Sequence, residues 1–359
     1  MDWANFRLSK RLNFSGDQTA ELYRLLADID SVKKGWGLVG KFHPTTVDRL
    51  VQGVIVTSTG ASNRIEGNQL TDEEVEKLYR NLRIQKLSTR DEQEVAGYIE
   101  MLQLIFGKPD DFELSESLIL DFHARMLRHC QKDERHRGHY KFGSNRVEAK
   151  DAEGNVMGVI FDPTLPHLVE KEIQELLGWY DWAKKEEFRH PLLLLGNFLF
   201  EYLAIHPFQD GNGRTSRLFT NLLLLKEGYE FTQVISHEKL IEGNKADYYL
   251  ALNQSQRSWK TEEEDVSPWL AFFLKTLSVQ AGKALALLEE EDEEELLSLN
   301  QRKIFEIALE IGPDGFSRGQ IIQDLGLAPS TAEKAIRKLL TLRKIERFGQ
   351  GRGTRYRLV

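Results

Sequence analysis

His206-Pro207-Phe208-Gln209-Asp210-Gly211-Asn212-Gly213-Arg214-Thr215-Ser216-Arg217 is the stretch on which the reading of this chain turns. An apolar segment, Leu192 to Ile205, runs into it, and a second, Leu218 to Leu225, leaves it. Both read as buried helices, so the polar dozen is a loop between two core helices. Gly211 and Gly213 permit close backbone approach and φ > 0. Successive N–H groups ending at a helix start form an anion site. Arg214 and Arg217 fall one turn apart on the second helix, within reach of one ligand, and guanidinium groups match phosphate oxygens in bidentate fashion. Asp210 offers a carboxylate for Mg²⁺, which commonly binds through one or two carboxylates plus substrate phosphates. His206, with an ordinary imidazole pKa near ~6.5, can take a proton from an alcohol at neutral pH. Taken singly, these pieces are a helix end, a turn and a solvated face. Taken together they describe a grip on a polyphosphate that presents a hydroxyl to it.

The run resembles the active-site motif of the Fic family, His-Pro-Phe-x-x-Gly-Asn-Gly-Arg-x-x-Arg, at every specified position, with Asp210 in the usual acidic place. The resemblance implies a protein adenylyltransferase, which moves AMP from ATP, with Mg²⁺, to a Ser, Thr or Tyr hydroxyl of a target protein. By position, it makes His206 the general base and Asp210 the metal ligand. Gly211, Asn212 and Gly213 become the anion hole, Arg214 and Arg217 the holders of the β- and γ-phosphates, and Thr215 and Ser216 part of the nucleotide site. Positioning and charge stabilisation would then supply the rate.

Upstream, Ser62-Asn63-Arg64-Ile65-Glu66-Gly67-Asn68 resembles the family's inhibitory motif, Ser/Thr-x-x-x-Glu-Gly/Asn. Ser62 and Glu66 are four apart and share a helical face. The resemblance implies that Glu66 pairs with Arg217 and blocks the γ-phosphate position, the arrangement with an N-terminal inhibitory helix. Otherwise Glu66 is a surface acid and Gly67 a helix C-cap. Between Ser144-Asn145-Arg146-Val147 and Val159-Ile160-Phe161 lies the turn signal Asp151 to Asn155, so the region reads as a hairpin. It resembles the family's flap, which docks a target segment by strand addition, although Lys141 stands where Arg is usual. The Tyr248-Tyr249 pair resembles a family helix near the adenine, and Tyr249 is the residue taken for nucleotide contact.

Composition narrows the class. With 359 residues and 41% hydrophobic content, two or three domains with a sizeable core are expected. The 48 Lys/Arg against 56 Asp/Glu give −8, which argues against bulk nucleic-acid binding by the whole chain. Cys130 is the sole cysteine, so no intrachain disulfide forms, and a reducing, cytoplasmic setting is expected. No signal pattern opens the chain and no apolar run reaches about 18 residues, so no membrane partner is expected.

The expected fold is mainly α: a Fic-type helical core with a β-hairpin flap, plus a C-terminal winged helix-turn-helix. Residues 1–100 read as an N-terminal helical region with the inhibitory helix, 101–285 as the catalytic core, 286–298 as an acidic linker around the seven acids Glu289 to Glu295, and 299–359 as the winged module. Within the last, Ser317 to Leu325 and Ser330 to Leu342 read as helix-turn-helix, with Ser330 and Thr331 as caps, and Ile345 to Phe348 and Arg355 to Leu358 as a wing. From Ser330 to Val359, nine Lys/Arg stand against two acids, a balance of +7. That suggests DNA contact or, equally, a protein-interaction surface. Four alternatives to plain transfer stay open: self-modification, removal of AMP with Glu66 positioning water, a different nucleotide or phosphocholine donor as the resemblance allows, and a DNA-binding regulator with the Fic core as nucleotide sensor. A homodimer is compatible with all of them.

Overall fold

The computed structural model describes residues 1–38, 44–82, 86–150, 156–295, 298–349 and 351–359. The chain divides into two compact units, Met1–Ala284 and Leu285–Val359. Helices make up 69% of it, which settles the mainly α class.

The first unit opens with α1 (Arg7–Lys10), α2 (Gly16–Leu38), α3 (Pro44–Ile65), α4 (Asp72–Asn81), α5 (Arg90–Gly107) and α6 (Glu116–Met126). A hairpin follows, β1 (Val147–Lys150) and β2 (Val156–Phe161), then α7 (Val169–Lys185), α8 (Pro191–Ile205), α9 (Asn212–Lys226), α10 (His237–Gly243), α11 (Lys245–Gln256) and α12 (Ser267–Glu295). Its centre is the α8–α9 pair. Every residue of α8 from Leu192 to Ile205 is buried. A helix apolar on all sides belongs inside the bundle rather than on its surface. Pro191 at its first position and the His190 side chain, which accepts from the Leu192 N–H, define where it starts. In α9 everything from Arg214 to Leu225 is buried, two arginines included.

Elements placed against this pair carry clear local signals. Thr71 and Thr89 each form a capping box, with Glu74 and Glu92, that fixes the starts of α4 and α5. On α5, Gly97 lies so close to α6 that a Cβ there would sit 1.9 Å from the Met126 carbonyl oxygen. Phe122 of α6 stacks on Phe219 of α9 with centroids 5.0 Å apart. A buried ionic cluster ties α1 to α8. The Arg11 guanidinium donates to Asn197 Oδ1 (2.6 Å) and Glu201 Oε2 (2.7 Å), and Arg7 also pairs with Glu201. Burial alone would raise the Glu201 carboxyl, but Arg11 and Arg7 outweigh it and hold it down at about 2.

Two sequence expectations change here. Helix α12 runs through the acidic stretch to Glu295, so the segment read as an acidic linker is helical up to that residue. Within it, Ser267–Leu287 is long and apolar enough by composition to cross a membrane, though no unbroken apolar run foretold this. In the structure Trp269, Leu270, Phe273, Leu274, Leu277 and Ala281 of that segment pack into the first unit's core.

The second unit holds α13 (Leu299–Ile311), α14 (Arg318–Leu325), α15 (Pro329–Thr341) and the hairpin β3 (Ile345–Phe348) and β4 (Arg355–Leu358). The strands are antiparallel, with Ile345 opposite Leu358 and Phe348 opposite Arg355. Ile304, Phe316, Ile321, Ile336, Leu339 and Ile345 form its own core. Gly326, left-handed at φ 61°, ends α14. Helix α15 starts a little earlier than the Ser330 and Thr331 caps would have it. Ala328 is the N-cap residue and Pro329 the first helical one, because proline's fixed φ suits that position and its missing N–H costs nothing there.

Candidate functional site

The loop from His206 to Gly211 joins the buried ends of α8 and α9. His206 closes α8 in the left-handed conformation, φ 53°, a place more usual for glycine. Its N–H still bonds the Tyr202 carbonyl at 3.0 Å, so the turn is tight and the ring leaves the helix sideways. His206 Nδ1 lies 3.2 Å from the Leu203 carbonyl oxygen. A carbonyl only accepts, so Nδ1 carries the hydrogen and Nε2 is left with a lone pair. Burial pushes the imidazole down to about 4, with Lys141 adding to the effect against the Leu203 carbonyl. At neutral pH the ring is therefore an uncharged base.

The rest of the loop is held by side chains that spend their hydrogen bonds on its backbone. Asn212 Oδ1 accepts from the Phe208 N–H, and Asn212 Nδ2 donates to the Phe208 carbonyl, both at 2.8 Å. His123 of α6 stacks face to face on Phe208, centroids 3.8 Å apart. Its Nδ1 accepts from the Gly138 N–H (2.9 Å), so its Nε2–H donates to the Asp210 carbonyl (3.0 Å). Burial pushes His123 also to about 4, consistent with this neutral form. Asn145 Nδ2 also donates to the Phe208 carbonyl (2.7 Å), and the buried Lys141 Nζ donates to Asn145 Oδ1 (2.7 Å) and the Ile205 carbonyl (3.2 Å). Burial brings the Lys141 ammonium down to about 8.

The two glycines serve different ends. Gly211 is left-handed, φ 85°, as the motif requires. Gly213 is an ordinary helical residue, and its reason is space: a Cβ there would lie 2.1 Å from Glu66 Oε1. Asp210 Oδ1 accepts from the Gly211 N–H at 2.6 Å, while Oδ2 lies 3.1 Å from Arg214 and 3.0 Å from Arg90. Burial pushes the Asp210 carboxyl up, but Arg214, the Gly211 N–H and Arg90 together leave it below the usual carboxylate range.

Arg214 and Arg217, expected to face one ligand, are claimed by different carboxylates. Arg214 pairs with Glu94 (3.2 Å) and Asp210. Arg217 pairs with Glu66 Oε1 at 2.7 Å, and its Nε donates to Ser62 Oγ at 2.8 Å and its Nη2 to the Ser62 carbonyl at 3.0 Å. Ser62 sits in α3. Glu66 sits one residue beyond the helix end, so the pair reaches Arg217 from a helix and from the turn that follows it. The buried Arg214 Nε and Arg217 Nη1 have no hydrogen-bond acceptor. Unsatisfied cationic donors inside a protein call for an anion.

The remaining sequence candidates fall as follows. Thr215 and Ser216 turn their hydroxyls onto the carbonyls of Gly211 and Gly213, each at 2.8 Å, so both bond the helix backbone. Tyr249 is 42% exposed, its ring edge-on to the buried Tyr248 at 5.1 Å. Its hydroxyl is raised by burial and by the nearby Glu66 charge. Of the four flap residues only Val147 lies in the hairpin, opposite Phe161. Ser144 and Asn145 precede the hairpin, and Arg146 pairs with Asp162 at 3.0 Å. The expected turn, Asp151 to Asn155, lies outside the described residues. Among the described residues no cluster of three His, Cys, Asp or Glu could cage a metal. A cation here would lean on Asp210 and bring its other ligands with it. Sequence reading missed His123 and Arg90, which meet the loop from up to 120 residues away, and Glu94 and Asp133, which pair with Arg214 and Arg90; none carries a local signal.

Residues 113–224 match the Fic/DOC family. A protein adenylyltransferase Fic from Nematostella vectensis is 29% identical over 218 residues, 59% of this chain and 44% of that protein. Protein adenylyltransferase fic-1 from Caenorhabditis elegans is 26% identical over 216 residues, 59% of this chain and 38% of that one. The chain thus spans less than half the length of these curated relatives. Among solved structures, a Fic family protein from Desulfovibrio desulfuricans shares the fold at TM-score 0.62, with 23% identity over 94% of this chain and 96% of that chain. A Fic domain containing signaling protein from Bacteroides thetaiotaomicron does so at TM-score 0.58, with 22% identity, 75% of this chain and 97% of that chain.

Proposed function

We propose that this chain, whose residues 113–224 match the Fic/DOC family, is a protein adenylyltransferase that moves AMP from ATP to a hydroxyl side chain of a target protein. The observation that carries the reading is the neutral His206, its Nε2 lone pair free, set at the mouth of a loop backed by two buried arginines with donors to spare. His206 Nε2 takes the proton of the acceptor hydroxyl. That oxygen forms a bond to the α-phosphorus, the bond from the α-phosphorus to the bridging oxygen breaks, and pyrophosphate leaves with the electron pair. Arg214 and the N–H groups opening α9 hold the β- and γ-phosphates, and the buried site makes these fixed charges effective.

Mg²⁺ fits this loop through Asp210 alone, which suits an ion delivered with the nucleotide's own phosphate ligands. Bound there, it would draw charge from the phosphate oxygens. Tyr249, whose hydroxyl feels the Glu66 charge, is the residue assigned to nucleotide contact in this reading. The β1–β2 hairpin pairs with no third strand among the described residues, which leaves an edge for a target segment to join.

Glu66 restrains the enzyme. It holds Arg217 and lies against Gly213, where a γ-phosphate would need both the guanidinium and the space. Ser62 fixes Arg217 in the orientation that Glu66 meets. This engagement with Arg217 favours restraint of transfer over positioning of water for AMP removal. Incubation with ATP labelled on the α-phosphate and a cell lysate tests the activity. Label should pass to protein, and His206→Ala should cut this by about 10²–10⁴-fold. Unchanged labelling with His206→Ala would remove the base assignment.

A second reading concerns the C-terminal unit. Helices α14 and α15 followed by the β3–β4 hairpin have the order of a winged helix, and the +7 stretch from Ser330 to Val359 suits a polyanion. A gel shift of the whole chain on duplex DNA, repeated at rising salt, tests it.

A further inference from the structure

Arg90 stands outside both motifs, yet its guanidinium reaches the loop. It is the first residue of α5, with a side chain 46% exposed. Its Nε donates to Glu94 Oε1 at 2.8 Å, and its Nη2 lies 3.0 Å from Asp210 Oδ2 and 3.4 Å from Asp133 Oδ2. One guanidinium therefore serves three carboxylates. Asp133 is nearly inaccessible, and its Oδ2 has no hydrogen bond that meets normal geometry. Buried and undersatisfied, that oxygen would gain from a closer donor.

The backbone under Arg90 is fixed. Its neighbour Asp91 accepts from the Gln69 N–H (2.9 Å) through its side chain and from Asn68 Nδ2 (3.2 Å) through its carbonyl. Thr89 and Glu92 add the capping box. Any movement at this point belongs to the arginine side chain, not to the helix.

Resting on the reading of Asp210 as the carboxylate for a nucleotide-borne divalent cation, we propose that Arg90 is a placeholder cation. It neutralises Asp210 Oδ2 until the divalent ion arrives and is then displaced onto Asp133 and Glu94. Two cations within a few ångströms of one oxygen repel each other. Glu94 and Asp133 keep Arg90 compensated after it leaves, so the exchange costs little. Arg214 also lies 3.1 Å from that oxygen, but it is buried and held by Glu94, so the half-exposed Arg90 is the cation free to give way. Arg90 is thus a positioning residue that competes with the metal and sets how readily the site is charged.

The competition is measurable apart from turnover. Mn²⁺ is titrated into the full chain in the presence of a non-transferable ATP analogue, and free Mn²⁺ is read by electron paramagnetic resonance. Arg90→Gln should bind Mn²⁺ about threefold more tightly than wild type, the size expected of a half-exposed ion pair, and the gain should shrink as salt is added. A residue that merely braced the loop, or that contacted phosphate itself, would weaken binding when removed. Equal or weaker Mn²⁺ affinity in Arg90→Gln overturns the placeholder. If Asp210→Asn binds Mn²⁺ as wild type does, the assignment of Asp210 is wrong and the placeholder falls with it.

Discussion

Replacing Glu66 by glycine should turn restraint into activity, and the structure gives the size. Glu66 makes one charge-assisted bond to a guanidinium that is almost wholly buried, while its own carboxylate is one-third exposed. Such a bond contributes about 1.5–3 kcal/mol, and the exposure of one partner places this one near the lower figure. A nucleotide whose γ-phosphate needs Arg217 must displace that bond, which at about 1.4 kcal/mol per decade costs about tenfold in rate. Repulsion between the phosphate and the carboxylate adds a term of similar size. Glu66→Gly should therefore raise transfer of α-phosphate label from ATP by about 10–100-fold. The same change strips a buried Arg217 of its counter-charge, so the melting temperature should fall by a few degrees, and ATP with Mg²⁺ should restore it as phosphate replaces the carboxylate. Equal labelling of wild type and variant at saturating ATP, with equal melting curves, would refute the reasoning.

Gly213→Ala would place a methyl 2.1 Å from Glu66 Oε1, so it must push that carboxylate off Arg217. The Glu66 carboxylate is the end of a flexible, one-third-exposed side chain, so wild type should lose only about the 1.5 kcal/mol of its displaced bond to Arg217, and Glu66→Gly much less. A double-mutant cycle in denaturant measures this coupling, and additive costs would mean the two residues do not meet. His206 should stay an uncharged base well below the usual histidine range, since burial holds it at about 4. The folded ring binds its proton only as pH falls toward that value, so kcat/KM of the Glu66→Gly variant should hold from neutral pH down to about 5 and fall below that. An acid limb near pH 6.5, measured over a range where the fold persists, would show an ordinary solvated imidazole at work.

The parts of the site that lie within one dozen residues were legible in the chain. His206, Asp210 and Gly211 need only covalent spacing between two helix ends to come together, and apolar runs on both sides announced those helices. The left-handed turn at Gly211 and the Asn212 clasp on Phe208 follow from the same short range. Local signals also carried the Thr71 cap and the β3–β4 strands. They misled at Ser330 and Thr331, where Pro329 took the helix start. They misled again at Gly213, whose need is space for a side chain 147 positions upstream rather than backbone freedom.

Sequence alone, then, determined the mainly helical class, the polar loop between two buried helices and, through its likeness to the Fic family's motifs, the pairing to look for between Glu66 and Arg217. Only the tertiary structure decided that Arg214 and Arg217 answer to different carboxylates, that His123 and Asn145 both bond the loop backbone, and that Arg90 reaches Asp210. The physical reason is distance along the chain. A motif's own geometry is set by backbone conformations over a few residues. Charges 120 or 151 positions apart meet only because the apolar faces of α3, α5 and α6 are buried against α9, and no local pattern records which polar groups that burial brings face to face.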